Sequence, residues 1–101
     1  MAKEIRWTEE ASDTFEKVIA YLENNWTEKE VISFVTSTNR VTKFISEYPA
    51  MFRQTGKRNV REALITPHNL LIYKIYPNHI DLITFWDTRQ HPRKKFSKRK
   101  K

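Results

Sequence analysis

The stretch VREALITPHNLLIYKIYPNHIDLITFWDTRQHPRK, residues 60–94, constrains the fold more than any other part of the chain. Residues 60–65 alternate, with Val60, Glu62 and Leu64 on one side and Arg61, Ala63 and Ile65 on the other. Alternation at every second residue has the period of a strand and not of a helix. Residues 70–76, rich in Ile, Leu and Tyr, form the strongest strand segment, because such side chains pack well on a pleated surface. Residues 80–86 repeat the pattern, with Ile80, Leu82, Thr84 and Trp86 opposed by Asp81, Ile83 and Phe85. The intervening TPHN and PNH are turns, and turns this short join antiparallel neighbours. A three-stranded meander is therefore expected, closing on an Arg-x-His-Pro-Arg cluster.

Two helical patterns precede the meander. Residues 3–7, KEIRW, alternate like a short half-buried strand with Ile5 and Trp7 on one face. Thr8 then stands as an N-cap, and Ala11, Phe15, Val18, Ile19 and Leu22 recur at helical spacing. After Asn24 and Asn25, Thr27 with Glu30 makes a capping box for a second helix. Its stripe runs through Val31, Phe34, Val35, Thr38, Val41, Phe44, Ile45 and Tyr48 until Pro49 stops it. So short a link between long helices predicts an antiparallel hairpin, and the apolar stripes predict that it covers one face of the sheet. Met51 and Phe52 either begin an extended segment or close the core. The expectation is an α+β two-layer domain, β-α-α-β-β-β, with a mainly antiparallel sheet. Function is then expected on the other face of the sheet or at the strand ends.

Length and charge bound the partner. A chain of 101 residues makes one domain, assigned to residues 1–91, with a basic tail at 92–101. The net charge of +7 is uneven: the tail holds seven Lys and Arg and no acid, which leaves residues 1–91 at zero. Residues 1–50 sum to −3 and residues 51–91 to +3. A basic sheet half and a basic tail point to an anionic partner on the sheet side. The chain has no cysteine, which removes disulfides and thiolate zinc sites and fits a cytoplasmic protein. No apolar run approaches a membrane span, and His68 and His79 lack metal-ligand spacing, so neither membrane nor cofactor is expected.

The element order, together with WTEEASDTFEKVIAYLENNW, VREALI, LLIYKI and the closing FWDTRQHPRK, resembles the RelE/ParE superfamily of type II toxin–antitoxin toxins. The resemblance covers about residues 3–94. It implies a small basic toxin neutralised by a cognate antitoxin, acting either on DNA gyrase, as ParE-like members do, or on messenger RNA at the ribosome, as RelE-like members do. The second activity is a metal-independent endoribonuclease. It needs a base for the 2′-hydroxyl, an acid for the leaving oxygen and cations for the charge building on phosphate.

The resemblance implies a partial set of site residues. Arg89 matches the Arg after the last strand, and His91 matches the His of an Arg-x-His-Tyr pattern whose Tyr is here Pro92. Three residues before Tyr73, where nuclease members carry Arg, stands Leu70. Arg61 matches an Arg common in ParE-like members. Arg89, His91 and Arg61 are therefore the candidate catalytic residues, with guanidinium for phosphate and imidazole for proton transfer. Lys57, Arg58 and Lys74, with Arg93, Lys94 and Lys95 of the tail, are candidate nucleic-acid or target contacts. Leu70 and Pro92 weaken the catalytic set, so a ParE-like binding toxin is the first expectation. The ribonuclease is the second, and a non-toxic basic nucleic-acid-binding module is the third.

Overall fold

The helices begin where the sequence supplies acceptors for their free N–H groups. In the computed structural model, which describes residues 2–88, α1 spans Glu9–Asn25 and α2 spans Glu28–Glu47. The Thr8 hydroxyl accepts from the Ala11 N–H at 3.1 Å, and Glu9 and Glu10 sit at the positive end of the α1 dipole. At α2 the expected capping box is present, with the Thr27 N–H donating to the Glu30 carboxylate at 3.2 Å. The Thr27 hydroxyl bond holds the Glu30 carboxyl below its usual range. Only Trp26 and Thr27 separate the helices, so they fold back as a hairpin. α2 stops at Glu47, and Pro49 opens a single 3-10 turn, Pro49–Met51.

The meander forms as the alternation predicts. β3 (Val60–Thr66), β4 (Asn69–Ile75) and β5 (His79–Asp87) pair antiparallel in sequence. Two further strands complete the sheet. β1 (Glu4–Trp7) lies parallel to β5 with Ile5 opposite Ile80, and β2 (Arg53–Gln54) flanks β3. The order is β1-β5-β4-β3-β2, with the helical hairpin on one face. This is the α+β two-layer arrangement expected. The segment left open at residues 51–52 proves to be the end of the 3-10 turn and the approach to β2, with Phe52 packed against the core.

One expectation about β5 is corrected. Thr84 and Trp86 do not share a face with Ile80 and Leu82. Tyr73 pairs with Leu82 and Ile72 with Thr84, so Ile83 is an extra residue in β5. Such a bulge shifts the alternation by one. Phe85 therefore joins Ile80 and Leu82 in the core, while Trp86 stands opposite Leu70 on the other face. The Thr14 hydroxyl of α1 accepts from the Phe85 N–H at 3.0 Å, which satisfies β5 beyond the point where β1 ends.

The bulge completes an aromatic cluster. Phe15 lies 5.3 Å between ring centres from each of Trp7, Phe34 and Phe85, and Trp7 stacks on Phe85 at 5.6 Å. Each such pair contributes about 0.5–1.5 kcal/mol beyond the area it buries. The cluster joins β1, α1, α2 and β5. No helix among the described residues is long and apolar enough to cross a membrane. Replacing buried Phe34 by Ala is expected to cost about 3–5 kcal/mol in urea denaturation, because a cavity opens among these rings. Ile32→Ala, at a position 58% exposed, is expected to stay within about 0.5 kcal/mol.

Candidate functional site

The candidate contacts nearest the sheet gather around the β2–β3 connection. Gly56 (φ 97°) and Asn59 (φ 61°) adopt left-handed backbone conformations, which glycine and asparagine accept more readily than other residues. The Thr55 hydroxyl donates to the Val60 carbonyl at 3.0 Å and accepts from the Lys57 N–H at 3.2 Å. The Asn59 carbonyl accepts from Ile75 of β4 at 2.8 Å. The turn so held borders a recess of about 460 Å³ lined by Lys57, Arg58 and Arg61. Three cations around one concavity suit an anionic group such as phosphate.

Arg61 already has a structural task. It pairs in register with Tyr73, on the side of the sheet that faces the helices. Its guanidinium donates to the Phe52 carbonyl at 2.6 Å, and the Tyr73 hydroxyl donates to the Pro49 carbonyl at 2.6 Å. Two cross-strand neighbours therefore hold both ends of the 49–52 link. Tyr73 is fully buried, and burial pushes its hydroxyl up to about 12, against an opposing pull from Arg61.

Lys74 parts from this group. It alternates with Tyr73 and so projects from the opposite face, with its ammonium 5.2 Å from the Tyr76 ring centre. The expected single phosphate-binding face thus divides: Lys57, Arg58 and Arg61 meet, and Lys74 stands apart. Arg89, His91, Arg93, Lys94 and Lys95 lie outside the described residues.

The face turned away from the helices is mostly apolar at its centre. Leu64, Leu70 and Trp86 stand in one row across β3, β4 and β5, and Ile72 lies in the next. Leu64 is 56% exposed, whereas Trp86 at 6% and Ile72 at 1% are buried, so the row is open only at its Leu64 end. Glu62, nearly buried, lies beside Arg53 of β2 at 4.0 Å. The position three residues before Tyr73 is thus part of an apolar row, with no guanidinium there.

One polar cluster escaped the sequence reading. His79 Nε2 lies 3.3 Å from Asp81 Oδ1, and the His79 ring stacks on Tyr76 at 4.7 Å. Their i, i+2 spacing on one strand was the available signal, since such residues share a face. Among the described residues no group of three His, Cys, Asp or Glu could hold a metal ion.

Two outcomes follow for the Arg61–Tyr73 pair. Arg61→Gln is expected to lower stability by about 1.5–3 kcal/mol in urea denaturation, the range for a hydrogen bond from a charged donor. Exposed Arg58→Gln is expected to change it by less than about 0.5 kcal/mol. The folded chain also holds the Tyr73 proton more tightly than the unfolded chain, whose tyrosine titrates near 10.0. The resulting stability is whole below pH 10 and is lost as pH rises through about 12. The denaturation midpoint of the wild type should therefore fall more steeply across that window than that of Tyr73→Phe. Equal slopes would contradict the buried hydroxyl.

No protein-family profile matches the sequence, and no curated protein does. Solved structures do match. The ParDE toxin–antitoxin system of P. aeruginosa contains a chain with a TM-score of 0.73 and 10% identity, covering 85% of this chain and 96% of that one. The YoeB dimer of Staphylococcus aureus matches at a TM-score of 0.61 and 16% identity, covering 89% and 100%. The E. coli DinJ–YafQ toxin–antitoxin complex matches at 0.58 and 12%, covering 86% and 93%. ParE, YoeB and YafQ are toxins of the RelE/ParE superfamily. With two helices on a five-stranded sheet in the order β1-β5-β4-β3-β2, this chain has the RelE/ParE-type toxin fold.

Proposed function

We propose that this chain is the toxin of a type II toxin–antitoxin pair. In this reading it is held inactive by a cognate antitoxin and inhibits growth by binding a macromolecular target in the ParE manner. DNA gyrase is the target to test first. The toxin role is supported by the toxins and toxin–antitoxin complexes among the structures that share the fold.

The preference for binding over cleavage rests on one observation. Leu64, Leu70 and Trp86 form an apolar row where a nuclease would want a guanidinium. Phosphoryl chemistry without a metal needs cations aimed at the developing charge. A docking surface instead needs apolar contact with a polar rim, and Leu64, the exposed end of that row, supplies such a contact. Lys74, which projects from the same face, with Arg93, Lys94 and Lys95 in the tail assigned to residues 92–101, would then serve as rim contacts for an acidic target, and Lys57 and Arg58 would add a separate contact from the β2–β3 turn. Both candidate targets place the protein in the cytoplasm.

A second reading keeps the ribonuclease. Arg89 and His91 follow directly on β5, which ends at Asp87, and pair a guanidinium with an imidazole. In that reading Arg61 acts mainly by holding the 49–52 link, because its guanidinium is taken by the Phe52 carbonyl.

Inducing the chain alone in bacteria separates the readings. The expected result is growth arrest with unchanged mRNA 5′ ends and loss of supercoiling when purified chain is added to purified gyrase. Site-specific mRNA cuts that vanish with Arg89→Ala would sink the binding reading in favour of the ribonuclease. A chain without growth defect, but with salt-sensitive nucleic-acid binding lost on deleting residues 92–101, would sink the toxin reading.

A further inference from the structure

The basic recess at the β2–β3 turn is one-sided in charge. Lys57, Arg58 and Arg61 line it, and none of its lining residues is Asp or Glu. Glu62, the nearest acid in sequence, alternates with Arg61 and leaves on the other face, where Arg53 lies 4.0 Å from its carboxylate. A larger cleft, of about 660 Å³ between α1 and the end of β5, lacks this bias, because Lys17 and Lys29 share its rim with Glu30 and Asp87.

Backbone donors add to the cations. Gly56 and Asn59 take the turn through left-handed conformations, and turns of this kind set successive N–H groups around an anion. The Lys57 N–H goes to the Thr55 hydroxyl and the Val60 N–H to the Lys57 carbonyl. Among the described residues no acceptor takes the N–H of Arg58 or of Asn59, and both residues line the recess. Arg61 gives one of its five guanidinium donors to the Phe52 carbonyl.

Shape narrows the ligand. The recess holds about 460 Å³, within the range of about 300–1,000 Å³ for small-molecule sites and more than one phosphate group fills. Ala50, Val60 and Ile75 supply apolar lining, and Gln54 and Asn59 carry carboxamides of the kind that pair with an adenine edge. A phosphate monoester has nearly two charges and three acceptor oxygens, which suits three cations better than the single charge of a diester within a strand. Val60 and Leu64 are four residues apart on β3, roughly 13 Å, so the recess stands clear of the apolar row.

We propose that the recess takes one nucleotide by its 5′ phosphate, with the phosphate among Lys57, Arg58 and Arg61 and the sugar and base against Val60 and Ile75. The nucleotide is free or stands at the end of a strand, since both present the same monoester. In the toxin reading this is the contact that the β2–β3 turn adds to a target. The affinity is read without any target, so its failure would leave that reading standing.

The test uses purified full-length chain. Calorimetry measures AMP, adenosine, inorganic phosphate and a phosphoserine peptide, and anisotropy measures oligodeoxyadenosine strands with a 5′ phosphate or a 5′ hydroxyl. The expected result is AMP bound about tenfold or more tightly than each of the other three, as for loss of charge-assisted hydrogen bonds or of the base. The double variant Lys57→Gln, Arg58→Gln should abolish that preference. Lys17→Gln with Lys43→Gln, an equal loss of charge on the helices, should keep it. All four positions are exposed, and circular dichroism checks that the variants fold. The basic tail attracts both strands alike, so their ratio isolates the end group. A matching preference for the 5′-phosphate strand assigns a strand end as the source, and equal strands with AMP still bound assign the free nucleotide. AMP bound no better than adenosine, or a preference that survives in the Lys57, Arg58 variant, would overturn the site. So would inorganic phosphate or the phosphoserine peptide bound as tightly as AMP, since the ligand would then not be a nucleotide.

Discussion

The position of Phe85 is the constraint on which the two layers depend. β5 has one residue more than simple alternation would allow between Leu82 and Phe85, and that extra residue turns Phe85 toward the helices. Without it, Phe85 would point away and Trp86 would take its place among Trp7, Phe15 and Phe34, where a larger ring would meet a cluster already at 5.3–6.0 Å spacing. The Thr14 hydroxyl fixes the shift by accepting from the Phe85 N–H, and it donates in turn to the Glu10 carbonyl. A single bulge thus sets the seating of α1 and the face that Trp86 occupies. Beyond Leu82, β5 runs unflanked because β1 ends at Trp7, where the cap of α1 begins.

The other end of the sheet is held by polar groups. Arg61 and Tyr73 reach across the helix-facing side to the carbonyls of Phe52 and Pro49, so the chain that leaves α2 is tied to β3 and β4. Each of these part-buried carbonyls gains a donor from the protein. The basic recess therefore stands on a braced foundation, with Lys57 and Arg58 on a turn whose backbone is tied to Thr55, Val60 and Ile75. Arg61 belongs to the brace as much as to the recess. This division of labour favours a surface that binds over a centre that cleaves.

Much of this was legible in the sequence, and the parts that were not share a cause. Thr8, Thr27 with Glu30, and Pro49 mark the helix limits because capping and proline act within a few residues. The three long strands follow from local alternation. The bulge at Ile83 does not, because its stabilising partner, Thr14, is 71 residues away. β2 has only Arg53 and Gln54 and owes its strand character to Glu62 and Arg61 opposite. The basic recess was legible because Lys57, Arg58 and Arg61 lie within one turn and its following strand. Lys74 was expected on one face with them, and only the β3–β4 register, which places Arg61 beside Tyr73, sends Lys74 to the other face. The cleft draws on α1, the start of α2, the β3–β4 turn and β5, so no local pattern announces it. Trp26, a large aromatic between two polar neighbours at the helical link, was its one local trace.

The central claim is that Leu64, the exposed end of the apolar row with Leu70 and Trp86, meets a protein target and not RNA. The most direct test places a photo-crosslinking amino acid at exposed Leu64 and irradiates growth-arrested cells. The account predicts a crosslink to a protein, with a gyrase subunit as the leading candidate. A crosslink to messenger RNA or ribosomal RNA on the ribosome would contradict it.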